Sequence, residues 1–157
     1  MHFQFALIAF VLAVSFGFAD DNLDETKAIE KLRLLGVGVT RDETLRDRPV
    51  IGAHYYKPRQ KFGEKYLHLL KAFPNLTTLN LLYPMMITDA GLKEVGELQS
   101  LTSLKIFQAP IADDGLKELR VLKNLQALSI VCEQNRFTTI TDAGVKHVIE
   151  HANLTAL

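Results

Sequence analysis

Two histidines are the residues whose type and spacing come closest to a catalytic pattern. They stand in His147-Val-Ile-Glu-His151, which has the H-x-x-E-H spacing of inverted zinc peptidases and would place both imidazoles on one helix face. Alignment of the chain with itself puts His147 on an exposed helix face and His151 at a partly buried position. Only six residues follow His151, and none of them is a carboxylate that could complete a zinc site. We therefore expect an incidental pair and no catalytic residue, metal or cofactor; a zinc hydrolase is the remote alternative.

Acidic residues at one recurring position are the second candidate for chemistry. Asp113 and Asp114 could suggest a cation site, but Asp89 and Asp142 stand at the same position before other apolar helical stretches. A carboxylate there can accept hydrogen bonds from the first free N–H groups of a helix. The pattern therefore favours helix capping over cation binding.

These residues belong to an internal repeat with two parts. The first part is LTTLNL at 76–81, LTSLKI at 101–106 and LQALSI at 125–130, and a further copy starts at Leu154. The second part is ITDAGLKE at 87–94, IADDGLKE at 111–118 and ITDAGVKH at 140–147. Successive copies of the first part start 25, 24 and 29 residues apart. A repeat of this length predicts a stack of similar structural units.

Each repeat predicts a short strand followed by a helix. The spacing Leu-x-x-Leu-x-Leu places its apolar side chains on one face of a strand. Leu92, Val95 and Leu98 fall three residues apart and would form one apolar stripe over two helical turns. Because a single unit cannot bury its apolar flank, stacking of neighbours must create the core.

The repeat resembles the leucine-rich repeat proteins, in the bacterial exported type with "ITDAGLKE" blocks that is related to the cysteine-containing subfamily and is common in planctomycetes. The resemblance implies an α/β fold: a leucine-rich repeat solenoid, or short horseshoe, with parallel inner strands and outer helices. It covers residues 49–157, which we divide into about four units with the last incomplete. The first unit is degenerate, with VIGAHY at 50–55 in the strand position and Tyr66 in place of the repeated glycine.

The amino-terminal segment has the pattern of a signal peptide. Residues 1–19 are apolar with few interruptions, and Gly17 and Ala19 are small residues at the positions that signal peptidase requires. No lysine or arginine precedes the apolar run, so an uncleaved membrane anchor is the alternative. We predict cleavage after Ala19, export to the periplasm, cell surface or medium, and no stable membrane insertion after cleavage.

Residues 20–48 lie between this segment and the repeats and are predicted to cap the stack. Ala28, Ile29, Leu32 and Leu35 have helical spacing, and Gly36 follows as a stop signal. Residues 37–40 could then form a short strand. This helix would form an N-terminal helical cap over the open end of the first repeat.

The charge balance excludes one class of partner. Lysine plus arginine and aspartate plus glutamate each number 18, so the formal net charge is zero. A nucleic-acid-binding protein needs a basic surplus, so we expect no nucleic acid as partner. The single cysteine excludes an intramolecular disulfide.

The strand residues that face away from the core are the predicted binding surface. Read across the strands, they form a polar column (His54, Asn80, Lys105 and Ser129) and an apolar column (Tyr56, Leu82, Phe107 and Val131). A five-residue insertion after the strand at 125–130 adds Arg136 and Phe137 as contacts. The two-residue alternation of a strand does not determine whether the apolar column is exposed or buried in the core. The candidate binding residues are Tyr56, Asn80, Leu82, Lys105, Phe107, Ser129, Val131, Arg136 and Phe137.

The favoured function is a non-catalytic binding module that recognises a protein, a peptide or a glycan on the concave face of the repeats, since this fold mostly supplies binding surfaces. One alternative is an adaptor or substrate-receptor-like repeat protein, and another is a fragment of a larger array.

Overall fold

A five-stranded sheet with its strands in chain order organises the protein. The computed structural model describes residues 24–56, 62–82, 87–107, 110–131, 139–149 and 154–155. The strands are β1 Val37–Arg41, β2 Val50–Tyr55, β3 Thr78–Leu81, β4 Ser103–Phe107 and β5 Ala127–Val131. The helices are α1 Glu25–Leu34, α2 Asp89–Gly96, α3 Asp113–Glu118 and α4 Asp142–Ile149, with 3-10 helices at Glu64–Ala72 and Leu119–Val121.

The amino-terminal helix α1 ends where its sequence signal predicts, and Asp24 caps its start. The Asp24 carboxylate accepts a hydrogen bond from the Thr26 N–H at 2.9 Å, which satisfies one free N–H of the first turn. Ala28 and Leu32 are its buried residues, and Gly36 follows with a φ of 83°, a conformation that glycine adopts without steric cost. The predicted stop at Gly36 is confirmed. Helix α1 packs against β1 and against the 3-10 helix at 64–72.

Strand β1 pairs antiparallel with β2, with Val37 opposite Tyr55. The connection through residues 42–49 is too short for the crossover that a parallel pair needs. Strands β2 to β5 are parallel to one another. The expected α/β class is therefore confirmed, with a sheet that is mostly rather than wholly parallel.

The register of the parallel strands aligns the repeated leucines. Leu79 lies beside Leu104, and Leu104 beside Leu128. Leu81 lies beside Ile106, which is next to Ile130. Because side chains alternate between the two faces of a strand, these aligned residues all point to one face of the sheet.

Helices cover that face and complete a single apolar core. Leu92 and Val95 of α2 and Leu116 of α3 are buried in the same cluster as Leu79 and Leu104. Among the described residues, no helix covers the opposite face, where the strand side chains are mostly part-exposed. We call that surface the open face. Each strand together with the helix after it is called a unit; β2 with the 3-10 helix at 64–72 is the first, and β5 with α4 is the fourth.

The predicted capping role of the acidic residues needs a correction. Asp89 is the first residue of α2 and makes no cap on its own helix; its Oδ1 accepts from the Ala112 N–H, at the start of the next helix, at 2.8 Å. Asp113 likewise accepts from the Thr141 N–H at 2.8 Å and from its hydroxyl at 2.6 Å. A side chain at the first helical position reaches the neighbouring turn rather than its own N–H groups. The carboxylates therefore join one unit to the next.

The first unit makes the same link with a longer side chain. Glu64 Oε2 accepts from the Thr88 N–H at 3.0 Å and from the Thr88 hydroxyl at 2.6 Å. In the later unit, the hydrogen bonds from Thr141 hold the pKa of Asp113 below its usual value, and the Thr141 hydroxyl is the largest cause. The three carboxylates form one series of links between units, which we call the carboxylate series.

The repeated glycine is explained by this series. A Cβ on Gly115 would overlap Asp89 Oδ1, and a Cβ on Gly144 would overlap Asp113 Oδ1. Only a residue without a side chain leaves room for the carboxylate of the preceding unit. In the first unit Tyr66 occupies this position, within a 3-10 helix instead of an α-helix.

The predicted signal peptide at 1–19 lies outside the described residues, and cleavage stays a prediction. Within the described ranges, no helix is both long enough and apolar enough to span a bilayer.

Candidate functional site

The open face carries the predicted polar column in register. Asn80 lies beside Lys105, and Lys105 lies beside Ser129, on three neighbouring strands. Lys105 is exposed, and its two neighbours are part-exposed. No ion pair to Lys105 is found among the described residues. Its ammonium group therefore faces solvent with an amide on one side and a hydroxyl on the other.

A shallow depression lies over this polar column. Its volume is about 310 Å³. The side chains that line it from the open face are those of Asn80, Ser103, Lys105, Ala127 and Ser129. The lining offers hydroxyl, amide and ammonium groups, which can donate hydrogen bonds to carboxylate or carbonyl oxygens. It contains no carboxylate, so an anionic group would meet no repulsion from the lining.

His54 continues the polar column onto β2, opposite Asn80. Its Nδ1 lies 2.9 Å from Asn80 Nδ2, and its Nε2 lies 2.9 Å from the Thr40 hydroxyl. If the amide donates to Nδ1, the ring is neutral with its proton on Nε2. Burial lowers the pKa of His54, which also favours the neutral ring. His54 thus links β1, β2 and β3 at one end of the column.

The apolar column lies on the surface and is not part of the core. Tyr56 is 51% exposed and Val131 is 40% exposed, while Leu82 and Phe107 are part-exposed. Phe107 lies directly beside Val131 in the register. The Tyr56 ring stacks on His54 with centroids 5.8 Å apart and an interplanar angle of 8°. The question that the sequence left open is therefore answered in favour of exposure for Tyr56 and Val131, whereas Leu82 and Phe107 are intermediate.

The predicted loop contacts Arg136 and Phe137 lie outside the described residues. The chain is described up to Val131, at the end of β5, and again from Thr139, which forms a parallel bridge with Ala112. Their part in the binding surface stays a prediction.

One histidine of the predicted pair, His147, lies on the helical side of the protein. His147 is a part-exposed residue of α4, and its charge contributes to the lowered pKa of Asp113. His151 lies outside the described residues. The part of the chain that is described holds no group of three histidine, cysteine, aspartate or glutamate residues that could bind a metal ion.

Sequence reasoning missed one contact of the site. The bond from Thr40 to His54 depends on the antiparallel pairing of β1, and the repeat pattern carries no signal for that pairing. A short connection between two strand-like segments was the available signal.

No protein-family model matches the sequence, and a search of curated proteins finds no significant match.

Proposed function

We propose that the protein is an exported, non-catalytic leucine-rich repeat module that binds an extended peptide segment of a partner protein on its open face. The observation that carries the proposal is the pair of columns, polar and apolar, aligned in register on a sheet face that no described helix covers. Strand pairing aligns the side chains of both faces, and what supports binding is that this face exposes the apolar residues Tyr56 and Val131 beside the polar ones.

The chemistry of the columns favours a segment with one acidic side chain. Lys105 is the one lysine or arginine at the open-face positions of β2 to β5, and no carboxylate shares these positions. A ligand carboxylate could pair with Lys105 while Asn80 and Ser129 bond the ligand backbone. The exposed column beside it would hold an apolar or aromatic side chain of the ligand, because aromatic residues are frequent anchors at interfaces.

The dimensions fit a short extended segment. Neighbouring strands lie about 4.8 Å apart, so the four positions from His54 to Ser129 span roughly 14 Å across the sheet. An extended peptide rises about 3.3 Å per residue and would cover this distance with about four residues. The recognised element would thus be a tetrapeptide-sized segment.

The alternatives use the same fold differently. A glycan could form hydrogen bonds with the hydroxyl and amide groups of the polar column. For an adaptor, or for a fragment of a larger array, no feature of the open face distinguishes that function from peptide binding. A zinc hydrolase built on His147 and His151 would use His147 of α4, which lies on the helical side, away from both columns. The apolar segment at 1–19 is what supports export.

The proposal can be tested by selection from a displayed library of random peptides. Peptides selected on the protein should share an acidic residue next to an apolar one. They should bind at least about tenfold more weakly to Lys105→Ala, because an ionic hydrogen bond contributes about 1.5–3 kcal/mol. Lys117→Ala removes an exposed lysine from α3 and is the matched control.

Two results would contradict the proposal. One is a selection that yields no peptide whose binding depends on Lys105. The other is equal loss of binding in Lys105→Ala and Lys117→Ala, which would place the contact elsewhere or show a nonspecific charge effect.

A further inference from the structure

His54 is a titratable side chain of the open face, and both of its ring nitrogens are engaged. Its Nδ1 lies 2.9 Å from Asn80 Nδ2, and its Nε2 lies 2.9 Å from the Thr40 hydroxyl. Gly52 leaves room for this placement, since a Cβ there would lie 2.9 Å from Nε2. The Tyr56 ring stacks on the imidazole with centroids 5.8 Å apart. The ring is therefore held in position, and a change in its protonation must act on its hydrogen-bond partners.

The hydrogen bond between His54 and Asn80 has a defined direction. It joins two nitrogen atoms, and the amide Nδ2 can only donate, so Nδ1 accepts and carries no proton. The ring proton then lies on Nε2, which donates to the Thr40 hydroxyl. Asn80 thus gives its amide donor to His54, and its acceptor Oδ1 is the part of the amide that the imidazole does not use.

Protonation of His54 reverses this direction, because an imidazolium donates from both nitrogens. The Thr40 hydroxyl can accept from Nε2 in either state, but the Nδ1 proton would meet the protons of Asn80 Nδ2. The conflict is relieved when the Asn80 amide turns by about 180° about its last torsion, which is broad and roughly two-fold for asparagine. Oδ1 then accepts from Nδ1, and the NH2 group takes the place that the oxygen held.

This exchange affects the binding surface because Asn80 lies between His54 and Lys105 in the polar column. The register places Asn80 directly beside both of them. With a neutral ring, the remaining group of the amide is an acceptor, which repels a ligand carboxylate. With a protonated ring it is a donor, which can bond the same carboxylate together with the Lys105 ammonium. The protonation state of His54 thus determines whether Asn80 favours or opposes an anionic group at Lys105.

The charges around His54 act in the same direction. The titratable or charged side chains that the strands around it hold outside the core are Arg41 on β1, Tyr56 just after β2 and Lys105 on β4; β3 has none. Arg41 is paired with Glu25 of α1 at 3.0 Å. Lys105 lies two strands from His54, about 10 Å at the spacing of neighbouring strands. The described open-face positions hold no carboxylate, so protonated His54 adds a second positive charge that a ligand carboxylate can neutralise.

We propose that the peptide site is regulated by acid: protonation of His54 turns the Asn80 amide from an acceptor into a donor and thereby tightens the binding of a ligand carboxylate at Lys105. The inference rests on the proposed function, in which the bound segment has one acidic side chain. Burial lowers the pKa of His54 from 6.5, so the ring is neutral at about pH 7 and the change occurs in mildly acidic solution.

The first test needs no ligand and follows isotopically labelled protein by nuclear magnetic resonance. At about pH 7.5 the His54 Nδ1 resonance should be that of an unprotonated imidazole nitrogen. As the pH falls, the Asn80 NH2 resonances should move with the same midpoint as the His54 ring, and His54→Gln should abolish this movement. The side-chain amide of Asn124, which donates to the Gln99 carbonyl at 2.9 Å, is the control and should not follow the midpoint.

The second test measures the affinity of one synthetic probe, the tetrapeptide Ala-Asp-Phe-Ala with blocked ends, at constant ionic strength. Its carboxyl group stays ionised, since an aspartate side chain has a pKa of about 3.9. The Kd should fall about fivefold or more from about pH 7.5 to about pH 5, because one hydrogen bond is gained and one repulsion is lost. The probe with Asn in place of Asp should show no such gain, and His54→Gln should bind the acidic probe with the same Kd at both pH values.

Two results would overturn this inference and leave the proposed function standing. One is a set of Asn80 NH2 resonances that stay unmoved while His54 titrates. The other is binding of the acidic probe that depends on Lys105 but has the same Kd at both pH values. Probe binding that does not depend on Lys105 at either pH would contradict the proposed function itself, and with it the acid regulation.

Discussion

Truncation of Leu104 is the perturbation whose cost follows most directly from the packing of the strands. Leu104 is 1% exposed and lies between Leu79 and Leu128 in the register of β3, β4 and β5. Leu104→Ala removes three buried carbons, which at about 0.8 kcal/mol each lose roughly 2.4 kcal/mol of transfer free energy. The truncation also leaves a cavity, which adds to this loss. Strand pairing holds the neighbouring Leu79 and Leu128 in place, so they cannot move to fill it. We expect a total of about 3–5 kcal/mol.

Urea unfolding followed by circular dichroism measures this cost. With a urea dependence of about 2 kcal/mol/M, the midpoint should fall by roughly 1.5–2.5 M. Lys105→Ala is the matched control, since it changes the next residue of the same strand on the open face. A fall of equal size in both variants would refute the assignment of the two faces, and with it the separation of core from binding surface.

Three further predictions follow from the contacts between units, from His54 and from the amino terminus. Gly115→Ala should destabilise the protein by about 1–3 kcal/mol, because the new methyl group would overlap the Asp89 carboxylate. Gly38→Ala is the control and should change the stability measured by urea unfolding little, because the nearest atom to a Cβ there is 3.9 Å away. The pKa of His54 is lowered from 6.5, so the unfolded chain binds more protons in this range; stability should be fully present above pH 6.5 and decline as pH falls through the lower folded-state pKa. His54→Gln should flatten this decline, and an unchanged pH dependence would contradict the argument. Intact-mass analysis of protein from the native host should show a chain that begins at Asp20, and retention of residues 1–19 in a membrane fraction would favour an anchor.

The sequence predicted the two faces of the strands because the leucine spacing carries them directly. Leu79 and Leu104 are buried, and Asn80 and Lys105 are on the open face, as the alternation of a strand requires. The helix from Glu25 to Leu34 could also be predicted, since its apolar spacing and the stop at Gly36 are local signals in the sequence.

Contacts between units could not be predicted from the sequence in the same way. Asp89 has the sequence position of a helix cap, and only the packed structure shows that it accepts from Ala112 in the next unit. The pairing of β1 with β2 and the bond from Thr40 to His54 depend on a reversal of chain direction that no repeat specifies. Local periodicity determines which side of an element is apolar, whereas polar contacts depend on how elements meet.

The central claim is that the open face binds a short peptide segment with one acidic side chain across β2, β3, β4 and β5. Nuclear magnetic resonance titration of isotopically labelled protein with a selected peptide tests it most directly. The account predicts that the largest amide shift changes fall at Asn80, Lys105, Ser129 and their neighbours in the apolar column, with little change in α2 and α3. Shift changes concentrated on the helices, with the strand amides unmoved, would contradict it.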